Sequence, residues 1–112
     1  MKKDEVLRNK KDFDRLRSHG KTVKSKYAII VYLKNGLDNN RKAFLASKKI
    51  GNSVERHRAA RLMRESFRLI EKEYVISNGI DFLLIARASI KDLKCADVKK
   101  NIEAAMRKAG LI

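Results

Sequence analysis

Apolar residues recur along this chain with two periods, and the changes of period mark out its elements. Between Asn9 or Lys10 and about Ser18, Phe13 and Leu16 stand three apart among polar residues, the spacing of one helix face. Asn9 can cap that helix, Asp12 sits in its favourable first turn, and Gly20 supplies a stop. Lys26–Lys34 reads KYAIIVYLK, rich in β-branched and aromatic residues, and predicts a strand, with a short extra strand over 21–25. Asn35 to Asn40 is a turn cluster. Arg41–Ile50, RKAFLASKKI, predicts a second long strand, and the two are expected to pair as an antiparallel hairpin.

Gly51-Asn52-Ser53 ends that strand, and Asn52 with Glu55 three residues on makes a capping-box pattern. A helix is predicted from Ser53 to about Tyr74. At 100° per residue, Ala59, Ala60, Met63, Phe67, Ile70 and Tyr74 fall on one side. His57, Arg61, Arg64 and Arg68 gather on an adjacent side, with Arg58 beyond them. After Ser77-Asn78-Gly79, the run Ile80–Ala88 is nearly continuous in apolar residues, as in a central strand or one buried on both faces. Ser89–Leu93 reads as irregular. A last helix is predicted from Cys95 to about Ala109, with Val98, Ile102, Ala105, Met106 and Ala109 on its apolar face and Gly110 at its end. The order α-β-β-(β)-α-β-α predicts an α+β two-layer sandwich, a single domain over 1–112, with one sheet face under helices and the other partly open.

Composition changes this picture in one respect. The chain has 112 residues, 44% of them hydrophobic, enough for one modest core. Its 28 Lys and Arg against 13 Asp and Glu give a net charge of +15, which a polyanion would neutralise in use. Nucleic acid is the first candidate and an anionic membrane surface the second, although the Ala-rich helix face is poor for membrane insertion. Lys2, Lys3, Arg8, Lys10 and Lys11 form a basic leading arm whose first residues are expected to be mobile. Cys95 is the single cysteine, which excludes an intramolecular disulfide and points to a reducing cytoplasm. No apolar run has transmembrane length, and the first residues lead into no apolar signal core.

The residues offer little for protein catalysis. His19 stands beside Gly20 at a helix end. His57, between Arg56 and Arg58, is a poor general base but a good phosphate contact. Asp81 opens a strand with no second carboxylate beside it to share a metal. The basic stripe is different. From Lys48 to Arg68 there are seven basic residues, Lys48, Lys49, Arg56, Arg58, Arg61, Arg64 and Arg68, against Glu55 and Glu65. A solvated face would mix signs for i, i+4 support, whereas Arg61, Arg64 and Arg68 stack like charges. Arginine's planar fork suits phosphate oxygens. Among the aromatics, Phe44 and Tyr27 read as core, while Phe13 is balanced between core packing and stacking on an unpaired base.

The string from Ser47 to Arg68, SKKIGNSVERHRAARLMRESFR, resembles the signature of the bacterial ribonuclease P protein subunit. That family carries Ser-Lys-Lys-x-Gly-Asn-Ala-Val, an Arg-Asn-Arg core and a following Arg-Leu-x-Arg-x-x-Phe. Asp12-Phe13 with His19-Gly20, Ile85-Ala86-Arg87, and the basic pairs Lys99-Lys100 and Arg107-Lys108 agree more loosely. His57 stands in place of the family's central Asn, Ala60 in place of a common Lys, and Arg17 where an aromatic is frequent. The resemblance implies a subunit of an RNA-based endoribonuclease that removes the 5′ leader of precursor tRNA, with no catalytic site in the protein. It implies that the catalytic RNA holds Mg2+, and that the protein's partners are this RNA and precursor tRNA, with no DNA or membrane. It assigns RNA binding to Lys48, Lys49, Asn52, Arg56, His57, Arg58, Arg61, Arg64 and Arg68, and a leader-binding cleft to Phe13 and Arg17. It also implies a left-handed β-α-β crossover. A ribosomal or generic RNA-binding protein would share the charge and size but is not expected to share the Ser47–Phe67 string.

Overall fold

A computed structural model describes residues 6–112; Lys2 and Lys3 of the basic arm, and the mobility expected there, lie outside the described residues. Four strands, β1 (Lys21–Lys24), β2 (Ala28–Lys34), β3 (Arg41–Leu45) and β4 (Ile80–Ala86), form one mixed sheet in the order β1-β2-β4-β3. Three helices accompany it: α1 (Lys10–His19), α2 (Ser53–Glu73) and α3 (Cys95–Lys108), with a short 3₁₀ turn at Ala88–Ile90. The α+β class and the element order follow the sequence pattern, including the short first strand.

The pairing of the strands does not. β2 and β3 form no hairpin, because β4 lies between them, antiparallel to β2 and parallel to β3. The reason is burial. β4 is apolar on both sides and is buried along almost its whole length, so the sheet centre suits it. β3 carries Arg41 and Lys42 and takes an edge. The asparagine-rich turn then acts as a clamp for the incoming strand. The Asn35 backbone N–H donates to Gly79 O (2.9 Å), the Asn40 amide to Ser77 O (2.9 Å), and Ile80 N–H to Asn40 Oδ1 (2.8 Å). β3 also stops at Leu45 rather than Ile50, since Ser47–Ile50 closes into a turn.

Alternate residues of β4 serve two cores. Phe82 and Leu84 face α2 and α3, where Met63, Phe67, Ile70, Val98, Ile102 and Met106 are fully enclosed. Phe67 meets Phe82 edge-on at 5.1 Å. Leu83 and Ile85 face the other way, where Leu7 and Leu16 are buried with Phe13 and Val31 beside them. The face expected to be partly open therefore carries α1. Gly20 permits the close approach, because a Cβ there would lie 2.4 Å from Leu16 O and 2.7 Å from Val31 Cγ1.

Candidate nucleic-acid interface

The start of α2 is built by the segment that precedes it. Ile50 is buried and anchors the Ser47–Ile50 turn, which leaves Lys48 and Lys49 exposed. Gly51 has φ +147°, and a Cβ there would sit 2.3 Å from Glu55 Oε1. Glycine thus makes room for the capping box: Asn52 Oδ1 accepts from Glu55 N–H (2.9 Å) and Glu55 Oε1 from Asn52 N–H (3.0 Å). Lys91 adds an ion pair to the same Glu55 (2.8 Å). That ammonium, with the Asn52 N–H, holds the Glu55 carboxyl below its ordinary pKa. The lysine pair therefore stands beside a helix N-terminus, whose free N–H groups and dipole favour anions.

Beyond this cap, Arg56, His57 and Ala60 of α2 face Phe44, Leu45 and Ala46 at the end of β3 across a groove of about 270 Å³. Ala60, small and half-buried, helps line it. Arg56 Nε is buried without a hydrogen-bond partner among the described residues. Arg64 lies over the Phe44 ring at 5.5 Å, and Phe44 itself touches Phe67 at 6.1 Å. Phe44 is thus both core wall and platform for an arginine; only its core role was legible in the sequence. Arg61 and Arg64 are exposed and make no salt bridge among the described residues.

Not all the predicted residues join this groove. Arg58 donates to Leu93 O (2.6 Å) and ties α2 to the loop before α3. Arg68 pairs with Glu65 one turn away, which holds the Glu65 carboxyl down and raises the Arg68 pKa.

Phe13 and Arg17 lie on a second groove, of about 330 Å³, with Arg8, Lys10, Asp14 and Leu45. Leu45, on edge strand β3, belongs to both grooves, so the two adjoin there. Phe13 is half-buried against the Leu7–Leu16–Leu83 core, which leaves part of its ring open; Arg17 is exposed.

A charged cluster fixes α1 on the sheet. Asp81, fully buried, accepts from Arg41 Nε and Nη2 (both 2.8 Å) and from the Asn35 amide (3.0 Å). Arg41 reaches Asp12 of α1 as well (3.2 Å), and Arg15 of α1 approaches Asp81 at 3.5 Å. These bonds to Asp81, and then Asp12, raise the Arg41 pKa although burial opposes it. The sequence shows Asp81 as a lone strand residue; the parallel register that puts Arg41 opposite it is a tertiary fact. Lys42 is likewise buried, paired with Glu71 at 2.8 Å. Among the described residues no group of three or more His, Cys, Asp or Glu side chains is placed to hold a metal ion, and no helix is long and apolar enough to cross a membrane.

An α+β domain with an arginine helix, two adjoining basic grooves and aromatic side chains on both is a polyanion binder of the RNA-binding class. The family model for ribonuclease P matches residues 1–110, and the chain belongs to that family. The ribonuclease P protein component of Caldanaerobacter subterraneus subsp. tengcongensis is 38% identical over 94% of this chain and 89% of its own length. That of Alkaliphilus metalliredigens is 36% identical over 100% and 99%. Among solved structures, the Staphylococcus aureus RNase P protein superposes with a TM-score of 0.83 at 26% identity, covering 96% of each chain. The Thermotoga maritima RNase P protein gives 0.79 at 27% identity, covering 92% of this chain and 96% of that one.

Proposed function

We infer that the chain is the protein subunit of a bacterial ribonuclease P, which serves the removal of the 5′ leader from precursor tRNA. Family membership over nearly the whole chain carries this reading. In it, Lys48, Lys49, Asn52, Arg56, His57, Arg61 and Arg64 bind the catalytic RNA through phosphates, with Arg58 and Arg68 at the margin because each has a partner within the protein. The groove of Phe13 and Arg17 takes the single-stranded leader, with a base on the open part of the Phe13 ring and a phosphate on Arg17. The partners are the ribonuclease P RNA and precursor tRNA, met in the cytoplasm.

The reaction's Mg2+ belongs to the RNA in this proposal. Hard dications need several oxygen ligands, and both grooves present mainly cationic and apolar groups. The protein's own work is to neutralise phosphates, orient the leader and hold the two grooves in register across β3. Reconstitution tests it. Protein, a bacterial ribonuclease P RNA and precursor tRNA at low magnesium should cleave at the mature 5′ end, whereas RNA-free protein should not turn over. Affinity for the catalytic RNA should fall with salt at a log–log slope of roughly −3 to −6, as several phosphate contacts require. A slope near zero, or no gain in cleavage, defeats the reading.

A further inference from the structure

A further hollow, larger than either RNA groove, lies at the end of the sheet opposite Leu45. It has a volume of about 490 Å³ and sits where β1 begins, β2 ends and β4 begins. Leu45, where the other grooves meet, pairs with Ile85, whereas this hollow is lined by Ile80. Ile80 and Ile85 are five residue steps apart along β4, roughly 17 Å at strand rise. Its floor is apolar: Leu33, Ile80 and Leu111, with the ring of Tyr32. Its rim carries Lys21, Lys34 and His19, and no carboxylate lines it.

The walls are fixed by bonds already made. Leu111 is buried, its N–H donates to Met106 O (2.9 Å), and its carbonyl accepts from Ser77 N–H (3.1 Å). Asn78 is held by its amide donating to Asp38 O. The rim is the reverse. Lys21, Lys34 and His19 make no ion pair or side-chain hydrogen bond among the described residues, and the Tyr32 hydroxyl is equally unengaged. Tyr32 packs into the main core while Leu33 faces the α1 side, so the hollow caps the end of the sheet.

We propose that this hollow is a separate site for one unpaired nucleotide of an RNA strand, its base against Tyr32 and Leu111 and its phosphate between Lys21 and Lys34. The volume is that of a small-ligand pocket, too small for a helix of a protein partner. Two ammonium groups with no carboxylate in the lining call for an anion, and an aromatic on an apolar floor calls for a flat ring. A nucleotide carries both groups. The proposal rests on the reading that this chain works on RNA, and adds a contact at the end of the sheet opposite Leu45.

Titrating the full chain with adenosine 5′-monophosphate, followed by NMR, tests it. Resonances of Tyr32, Leu33 and Leu111 should shift, and the same shifts should be lost in Lys21→Glu/Lys34→Glu. Adenosine alone should produce much weaker shifts. For a five-nucleotide RNA, Lys21→Glu/Lys34→Glu should weaken binding about tenfold, the loss of one to two phosphate contacts. A charge-matched control, Lys24→Glu/Lys108→Glu, should weaken it less than threefold. Equal losses in the two double mutants, unshifted Tyr32, or shifts from adenosine as large as those from the nucleotide would each overturn the site. Arg61→Ala/Arg64→Ala keeps the two readings apart. It should leave the Tyr32 shifts intact while lowering affinity for the catalytic RNA; if that affinity is unchanged, the assignment of the arginine helix fails and the nucleotide site is judged on its own shifts.

Discussion

Two groups of arginines in this molecule have the same chemistry and opposite situations. Arg41 is one-fifth exposed and satisfied, with two bonds to buried Asp81 and one to Asp12. Arg61 and Arg64 are exposed along α2 and make no salt bridge, and Arg56 Nε is buried without a hydrogen-bond partner, among the described residues. Like charges at helical spacing cost roughly 0.2–0.5 kcal/mol per pair, so the α2 arginines weaken the free protein slightly. Arg41 does the opposite, since it supplies the counter-charge to a carboxylate that the fold buries completely. Charge counted along the sequence cannot tell these groups apart. What separates them is whether the fold supplies the counter-ion or leaves it to a ligand.

The comparison breaks most visibly at Asp81. Asp81→Ala leaves Arg41 part-buried beside a lost partner and frees α1 from the sheet. Breaking such a pair costs roughly 3–5 kcal/mol, so the melting temperature should drop sharply. Arg61→Ala and Arg64→Ala should leave the melt unchanged and each weaken catalytic-RNA binding by roughly 1.5–3 kcal/mol, the range of a charge-assisted contact. An Asp81 variant with a normal melt, or α2 variants that melt early yet bind normally, would dissolve the distinction.

Most of the fold was readable because local pattern and burial agree. The α2 face from Ala59 to Ile70, its Asn52 cap and the doubly apolar β4 all follow from residue spacing. The β2–β3 hairpin misled because a turn-rich segment reads the same whether it closes a hairpin or clamps a third strand. Asn35 and Asn40 do the second, and their partners lie some 40 residues on. The basic stripe was legible in outline, from like charges at like-charge spacing. The spending of Arg58 on Leu93 O and of Arg68 on Glu65 was not, and neither was the Arg64 seat over Phe44. Each depends on where a side chain ends up, which spacing alone does not fix.

Phe13 sharpens the comparison from the other side of β3. If its open ring stacks on the leader, Phe13→Ala should weaken precursor tRNA binding by the reconstituted complex by roughly 1–3 kcal/mol. Mature tRNA has no leader, and its affinity should hold, as should affinity for the catalytic RNA. Phe13 also touches the Leu7–Leu16–Leu83 core, so a melt is measured alongside. A lower melting temperature with equal losses for precursor and mature tRNA would make Phe13 a packing residue only.

The smallest effect belongs to an exposed pair, and its sign can be worked out. Lys91, and then the Asn52 N–H, lower the Glu55 pKa in the folded chain. In the unfolded chain the carboxyl returns to its ordinary value and binds its proton at higher pH. The unfolded state therefore takes up protons first as the solution is acidified, and stability falls from the ordinary carboxylate range downward. The contribution is fully present above that range and gone once pH passes below the lowered folded value. Lys91, raised by the same contact, adds an alkaline counterpart, present below the ordinary lysine pKa and lost as pH climbs through the raised one. Lys91→Ala should move the Glu55 titration midpoint upward, read by NMR, and flatten the acid limb of the melting curve while leaving RNA affinity at neutral pH nearly unchanged. Unlike Asp81, Glu55 sits where water screens it, so the loss should fray the first turn of α2 and not unfold the protein. If the midpoint stays put in Lys91→Ala, the lysine is not what holds the carboxyl down, and the capping bonds alone set the charge state of that helix end.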